Sequence, residues 1–135
     1  ALRFAARRAR HTNAGMVLLH IIDPSDFQQW LGVGDVMRAE AEEQAQALLE
    51  QFSAEARQLD GVDPERIVRT GSKTAEIGKL IDDDEDISFL VLAAGTGKDG
   101  PGPLVSALAG RSGVFAIPVV VVPGGLTDQE IDALA

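Results

Sequence analysis

Four glycines lie close together in one segment of this sequence, and backbone amides exposed beside them could donate hydrogen bonds to a ligand. Gly95, Gly97, Gly100 and Gly102 follow an almost unbroken apolar run. Amides that no side chain screens can donate to an anion, and the positive end of a helix adds to that attraction. Pro103 favours the first turn of such a helix, because its missing N–H would lack a partner there anyway. The segment therefore predicts a phosphate-binding loop; the alternative is a flexible connection that binds nothing.

The glycine segment departs from the best-known nucleotide motifs. Residues 95–100 match the letters of the dinucleotide fingerprint, but the end of the next apolar run supplies no acidic residue for a ribose. The phosphate loop of nucleotide hydrolases needs Ser or Thr after its lysine, and Asp99 follows Lys98. The stretch from Gly110 to Ser112 lacks the second glycine of a nucleophile elbow. These departures disfavour a dinucleotide-dependent dehydrogenase, a P-loop nucleotide hydrolase and a serine hydrolase.

The ionisable residues outside that segment form no recognisable catalytic set. His20 lies inside an apolar run and His11 lies in a basic stretch, so the two histidines predict no triad. The acidic residues 82–86 begin with the rhythm of a calcium loop, but Ile87 stands where the turn needs glycine. We expect a solvated acidic loop there. Four arginines near the amino end predict an exposed helix face rather than a nucleic-acid surface: Arg3, Arg7, Arg8 and Arg10.

Composition limits the class of protein further. The 135 residues include 21 Asp and Glu against 12 Lys and Arg, which gives a net charge of −9. That charge repels nucleic acid and anionic membranes, so neither is an expected partner. The sequence contains no Cys, which fits a reducing, cytoplasmic setting, and no apolar run approaches the length of a membrane span.

Apolar runs and helical patterns alternate along the chain. Apolar runs predict buried strands, and apolar residues at helical spacing predict covering helices. Asn13 favours the end of the first helix and Asp35 the start of the second. The predicted strands are 16–22, 66–70, 87–94 and 117–122, and the predicted helices are 1–12, 36–59, 73–81 and 103–110, with one or two helical turns after 127. Such alternation predicts a three-layer α/β/α fold with an open parallel sheet.

The order of these segments resembles the universal stress protein family along the full length of the chain. Residues 18–23, 68–71, 89–94 and 117–122 are similar to the family's second, third, fourth and fifth strands. The resemblance implies a five-stranded parallel sheet of order 3-2-1-4-5. The family's first strand, which carries an Asp facing adenine, has no counterpart before Ala1. Because an open centre would leave two strands with unpaired backbone groups, we expect residues 1–135 to be a single, amino-terminally truncated domain, or another chain to fill the gap.

The resemblance also implies adenine nucleotide binding, with ATP and Mg²⁺ as the expected ligands. The nucleotide-binding residues that it implies are Ile21, Gly95, Thr96, Gly97, Lys98, Gly100, Gly102 and Ser106. Gly97, Gly100 and Gly110 reproduce the glycine spacing of ATP-binding members, but Arg111 stands where they have Ser or Thr. The predicted helix register favours Ser106 over Gly110, because phosphate needs a helix amino terminus. Some members lack the motif and bind no ATP, so that alternative stays open.

The function that follows from the resemblance is a regulatory stress-response module rather than an enzyme. We expect a homodimer that pairs through the last strand, which begins at Ile117 and ends at Val122, since an exposed apolar edge needs a cover. One alternative is a dimeric interaction protein that binds no nucleotide. The other is a nucleotide hydrolase on the same scaffold, for which only Lys98 and Asp99 could act near the glycines.

Overall fold

The computed structural model describes residues 1–26, 34–110 and 115–135. The elements in chain order are α1 (Leu2–Thr12), β1 (Val17–Ile22), α2 (Gly34–Asp60), β2 (Glu65–Thr70), α3 (Lys73–Asp83), β3 (Leu90–Ala94), α4 (Pro103–Gly110), β4 (Val119–Pro123) and α5 (Asp128–Leu134). This alternation confirms the predicted α/β class. Within the ranges described, no helix is both long and apolar enough to cross a membrane.

Most element boundaries agree with the sequence patterns to within two residues. Strand β4 begins at Val119 instead of Ile117, and α3 continues to Asp83, so Asp82 and Asp83 are helical and not part of the expected acidic loop. Asn13 ends α1 in the left-handed conformation, with φ of 54°. Helix α2 begins at Gly34, so Asp35 lies inside its first turn and is not the N-cap that we expected. Strand β3 begins only at Leu90, because the amide of Ile87 donates to the carbonyl of Asp84 at 3.2 Å and the chain is still turning out of α3.

The described strands form two separate parallel pairs. Strand β1 pairs with β2 from Val17 opposite Glu65 onward, and β3 pairs with β4 from Leu90 opposite Val119 onward. No backbone hydrogen bond joins the two pairs within the described ranges. The strand order across the gap therefore stays a prediction, whereas each pair agrees with the predicted neighbours.

Helix α3 spans the two pairs on one face and supplies the core between them. Ile77 and Ile81 of this helix are buried together with Phe115. The same cluster receives Leu19 of β1 and Leu90 of β3. Helix α3 thus packs against one strand of each pair, β1 and β3.

Two of the four arginines of α1, Arg3 and Arg7, are partly buried and not solvated as the sequence suggested, whereas Arg8 and Arg10 are exposed as predicted. Arg3 makes two hydrogen bonds to the carboxylate of Asp132 in α5, at 2.8 and 2.9 Å. The Nε of Arg7 donates to Oδ1 of Asp60 at 2.8 Å, and the side chain of Asp60 is fully buried. Carboxylates from the end of α2 and from α5 thus pair with two of the arginines of α1. We call these four side chains the charged clamp.

Candidate functional site

The glycine loop, residues 95–102, lies between β3 and α4 and is tied by its own backbone. The amide of Gly95 donates to the carbonyl of Pro101 at 3.0 Å, and the amide of Gly100 donates to the carbonyl of Gly97 at 3.2 Å. Gly100 and Gly102 have φ of 83° and 111°, a region that favours glycine. Two of the amides offered by the sequence therefore shape the loop and are already used.

Four consecutive amides of the loop remain without an acceptor in the described chain. They belong to Thr96, Gly97, Lys98 and Asp99, and the segment from Gly95 to Pro101 is exposed. Uncommitted amides next to one another are what an anion-binding turn requires. The loop thus keeps donors that face solvent, while its other two bonds hold the turn in shape.

Helix α4 begins at Pro103, as the sequence predicted, directly after the loop. The amide of Ser106 donates to the carbonyl of Gly102 at 3.0 Å, so that amide closes the first helical bond, and the residue itself is exposed. Gly110 is the last residue of α4, where the negative end of the helix dipole lies. Ser106 therefore lies in the first turn of α4 and Gly110 at its other end, and a role of Ser106 at a phosphate stays a prediction. Arg111 and Ser112 lie outside the described residues.

A turn after β4 supports the glycine loop, and sequence reasoning missed its role. The backbone of Gly124 approaches β3 so closely that a Cβ there would lie 2.7 Å from the carbonyl oxygen of Ala94 and 3.3 Å from Cγ2 of Thr96. A Cβ at Gly125 would have Cγ2 of Thr96 as its nearest neighbour, at 4.0 Å. Only glycine fits at position 124. The one signal in the sequence was the pair of glycines that follows the last apolar run.

A large cleft separates β1 from β3 and continues to the start of α4. Its volume is about 1540 Å³, and both strands line it along their length. Of the predicted nucleotide residues, Ile21 and Gly102 line this cleft. The other six do not line it, and they lie in the exposed loop or on α4: Gly95, Thr96, Gly97, Lys98, Gly100 and Ser106. The cleft and the loop therefore meet near Gly102.

Three ionisable residues line the same cleft near the carboxyl end of β1: His20, Asp23 and Lys73. Burial lowers the pKa of the His20 imidazole, and the nearby Lys73 ammonium lowers it further. Asp23 accepts hydrogen bonds from the hydroxyl of Ser25 at 2.7 Å and from its amide at 2.9 Å, which hold the pKa of this carboxyl below its ordinary value. A neutral imidazole and an ionised carboxylate are therefore the forms present at neutral pH.

The acidic segment after α3 satisfies part of its own hydrogen bonding. Oδ1 of Asp84 accepts from the amide of Asp86 at 3.0 Å. Among the described residues, no three acidic or histidine side chains come together in a way that could hold a metal ion. The described part of the acidic segment is therefore not a cluster of metal ligands.

Three solved structures share the fold at low sequence identity. The hypothetical protein MJ0577 is 18% identical, with a TM-score of 0.69 over 91% of this chain and 88% of its own. The hypothetical protein PH0823 is 20% identical, with a TM-score of 0.65 over 92% and 89%. Universal stress protein UspA from Lactobacillus plantarum is 18% identical, with a TM-score of 0.69 over 87% and 83%.

Comparison of the sequence itself gives the family. No curated protein matches the chain closely enough to count as a relative. The model of the universal stress protein family matches residues 1–123, which includes every strand described and ends just before the turn that carries Gly124. The chain belongs to the universal stress protein family.

Proposed function

We propose that this chain is a regulatory stress-response protein of the cytoplasm that binds an adenine nucleotide, ATP with Mg²⁺, at the glycine loop. The observation that carries the proposal is the set of four uncommitted amides at Thr96, Gly97, Lys98 and Asp99, in the loop that leads into α4. The phosphates would lie against these amides and the first turn of α4, where Ser106 adds a hydroxyl. Gly95, Gly100 and Gly102 keep the loop in the shape that presents the amides.

The adenine end of the proposed site lies toward the cleft. Ile21 of β1 and Gly102 of the loop line the same cavity, so one ligand can touch the apolar strand and the glycine segment together. Purine rings are flat and largely apolar, and pockets for such ligands combine apolar walls with few polar groups. Lys98 is exposed and supplies a positive charge for the phosphates, although Asp99 next to it reduces the local potential.

We infer binding without turnover. The ionisable side chains of the loop are Lys98 and Asp99, and neither makes a side-chain hydrogen bond within the described ranges. Hydrolysis requires a base that is held beside an attacking water, and nothing in the loop orients one. A nucleotide hydrolase is the alternative, and it predicts product formation when the protein is incubated with ATP and Mg²⁺. A dimeric interaction protein that binds no nucleotide is the other alternative.

Calorimetric titration with ATP and Mg²⁺ tests the nucleotide site. We expect the unmodified chain to bind and Lys98→Ala to weaken binding by about tenfold, the value of about 1.4 kcal/mol for one charge-assisted contact. Lys79→Ala is the matched control, because Lys79 is also an exposed lysine and lies on α3, where it pairs with Glu76. Absence of both heat and thermal shift at millimolar nucleotide would leave only the interaction protein that binds no nucleotide.

The outer edge of β4 is the surface that we propose for a homodimer. The carbonyl of Pro118 accepts from Leu90 of β3, so alternation along the strand turns the backbone groups of Val119 and Val121 away from β3. An open apolar edge of this kind pairs readily with a second copy. Light scattering should then give twice the chain mass, and a monomer at working concentration would refute this use of the edge.

A further inference from the structure

The turn that follows β4 meets the glycine loop at the first of the loop's uncommitted amides. A Cβ placed on Gly124 would lie 3.8 Å from the amide nitrogen of Thr96 and 3.3 Å from Cγ2 of the same residue. The amide of Leu126 closes the turn by donating to the carbonyl of Pro123 at 3.4 Å. The turn is therefore one wall of the loop, and a shift of the turn changes the surroundings of the Thr96 amide.

The same turn leads directly into α5 through a capping box. The hydroxyl of Thr127 accepts from the amide of Glu130 at 3.2 Å, and the carboxylate of Glu130 accepts from the amide of Thr127 at 3.2 Å. These bonds satisfy two amides that the start of a helix would otherwise leave unpaired. Only Thr127 lies between the turn and the helix, so the two elements move together.

Helix α5 depends on its side-chain contacts with α1 to stay in place. It has seven residues, of which Ile131 is the buried one, and a helix this short does not hold itself in water. Asp132 accepts two hydrogen bonds from Arg3, at 2.8 and 2.9 Å. A pair with two bonds fixes orientation as well as distance. With so little apolar surface buried, this pair is a large part of what holds α5 against α1.

The turn and α5 lie beyond residues 1–123, the part of the chain that the family model matches. What this segment does for the glycine loop is therefore not implied by membership of the family. The contacts form one connected series: α1 holds α5, α5 continues into the turn, and the turn lies against the loop.

We propose that Asp132 is a positioning residue for the glycine loop. Through its pair with Arg3 it anchors α5, and α5 keeps the turn at Gly124 in place, which holds the uncommitted amides of the loop in one arrangement. That this arrangement serves an anion rests on the proposed nucleotide site; that α5 sets the arrangement does not.

The experiment compares Asp132→Asn with two matched controls. Asp128→Asn removes another carboxylate of α5 that faces Arg3, but at 3.6 Å and with a side chain that is 76% exposed. Ile67→Ala truncates a half-buried residue of β2, which belongs to the other strand pair, and so lowers stability without changing α5. Asp132→Glu keeps the carboxylate and is the conservative variant. Arg3→Gln removes the same pair from the α1 side.

The first readout is the set of amide resonances of the loop in the absence of any ligand. We expect those of Thr96, Gly97 and Lys98 to shift in Asp132→Asn and in Arg3→Gln alike, because the two residues act as a unit. Asp128→Asn and Ile67→Ala should leave them in place. Shifts confined to residues 124–135, or equal shifts in Ile67→Ala, would overturn the proposal. So would a loop that moves in only one of the two variants that break the pair.

The second readout is calorimetric titration with inorganic triphosphate, which carries the phosphates without the adenine. We expect Asp132→Asn to weaken binding by about fivefold, the low end of couplings between separate sites. Asp132→Glu should restore most of the affinity, and both controls should bind as the unmodified chain does. Shifted loop resonances with unchanged affinity would also overturn the role of Asp132. Failure of the unmodified chain to bind would refute the proposed nucleotide site, and the amide resonances would still decide the positioning.

Discussion

The charged clamp and the glycine loop differ in what holds them together. The clamp joins α1, α2 and α5 through side chains: Arg3 and Arg7 are half-buried, and the carboxylate of Asp60 is fully buried. The loop has only backbone bonds within itself, and its surface is exposed. Partly buried side-chain pairs fix helices in place, whereas an exposed loop with uncommitted donors keeps capacity for a ligand. The comparison teaches that the side-chain pairs that stabilise this fold and the loop for which we propose binding lie in different regions.

Asp60→Ala should produce the largest loss of stability and so test the clamp. The substitution leaves Arg7 without its 2.8 Å partner and removes a fully buried carboxylate. Hydrogen bonds to charged groups contribute about 2 kcal/mol each, so we expect the free energy of unfolding to fall by about that amount. Urea unfolding followed by circular dichroism measures it.

The control for Asp60 is Asp63→Ala. Asp63 is also paired with an arginine, Arg57, at 3.0 Å, but its side chain is 77% exposed. Exposed pairs contribute about 0.5 kcal/mol, so little change is expected. Equal losses for the two variants would show that the clamp is no more than an ordinary surface pair.

Gly124→Ala should have the next largest effect, and it tests the support of the glycine loop. A Cβ at this position would lie 2.7 Å from a backbone oxygen of β3, so the turn or the strand must move. Overpacking costs about 1 to 3 kcal/mol, and we expect a loss near the lower end of that range because the turn itself can move. We also expect the amide resonance of Thr96 to shift. Gly125→Ala is the matched control, because its Cβ would meet only a methyl group at 4.0 Å. A large effect at both positions would mean that the turn is sensitive to any side chain.

The smallest expected effect is a loosening of α5 in acid. The Arg3 guanidinium beside Asp132 holds the pKa of that carboxyl below its ordinary value of 3.8. A lowered pKa means that the ionised form is favoured in the folded chain, so its contribution to stability is complete above that ordinary value and is lost as pH falls below it. The protection factors of the α5 amides, each taken relative to the intrinsic exchange rate at that pH, should therefore fall below pH 3.8. The Asp132→Asn variant should lack this step; an unchanged pH profile would exclude the clamp as its cause.

Much of the local structure followed from the sequence. Asn13 ended α1 in the left-handed conformation and Pro103 began α4, because each residue type has a strong backbone preference of its own. The apolar run of residues 87–94 gave no sign of the hydrogen bond from the amide of Ile87 to the carbonyl of Asp84. Because of that bond, β3 begins later than the run does. Strand ends depend on hydrogen bonds to the flanking turn as well as on hydrophobicity.

The candidate site was predictable in composition but not in geometry. The glycines predicted a loop with exposed amides. The sequence could not show that the amides of Gly95 and Gly100 donate to carbonyls within the loop itself. Nor could it show that Gly124 lies against Ala94, since residues so far apart in sequence meet only through strand pairing. Steric demands of this kind appear only once two strand ends lie side by side.

By itself, the sequence determined the order of helices and strands, the α/β class and the position of the glycine loop, because these follow from local preferences and apolar spacing. The tertiary structure alone decided that Arg3 and Arg7 are clamp residues rather than a solvated face, since their partners come from helices far along the chain. It also decided that the strands form two pairs separated by a cleft. Backbone pairing between distant segments is a cooperative property of the folded chain, and no single segment encodes it.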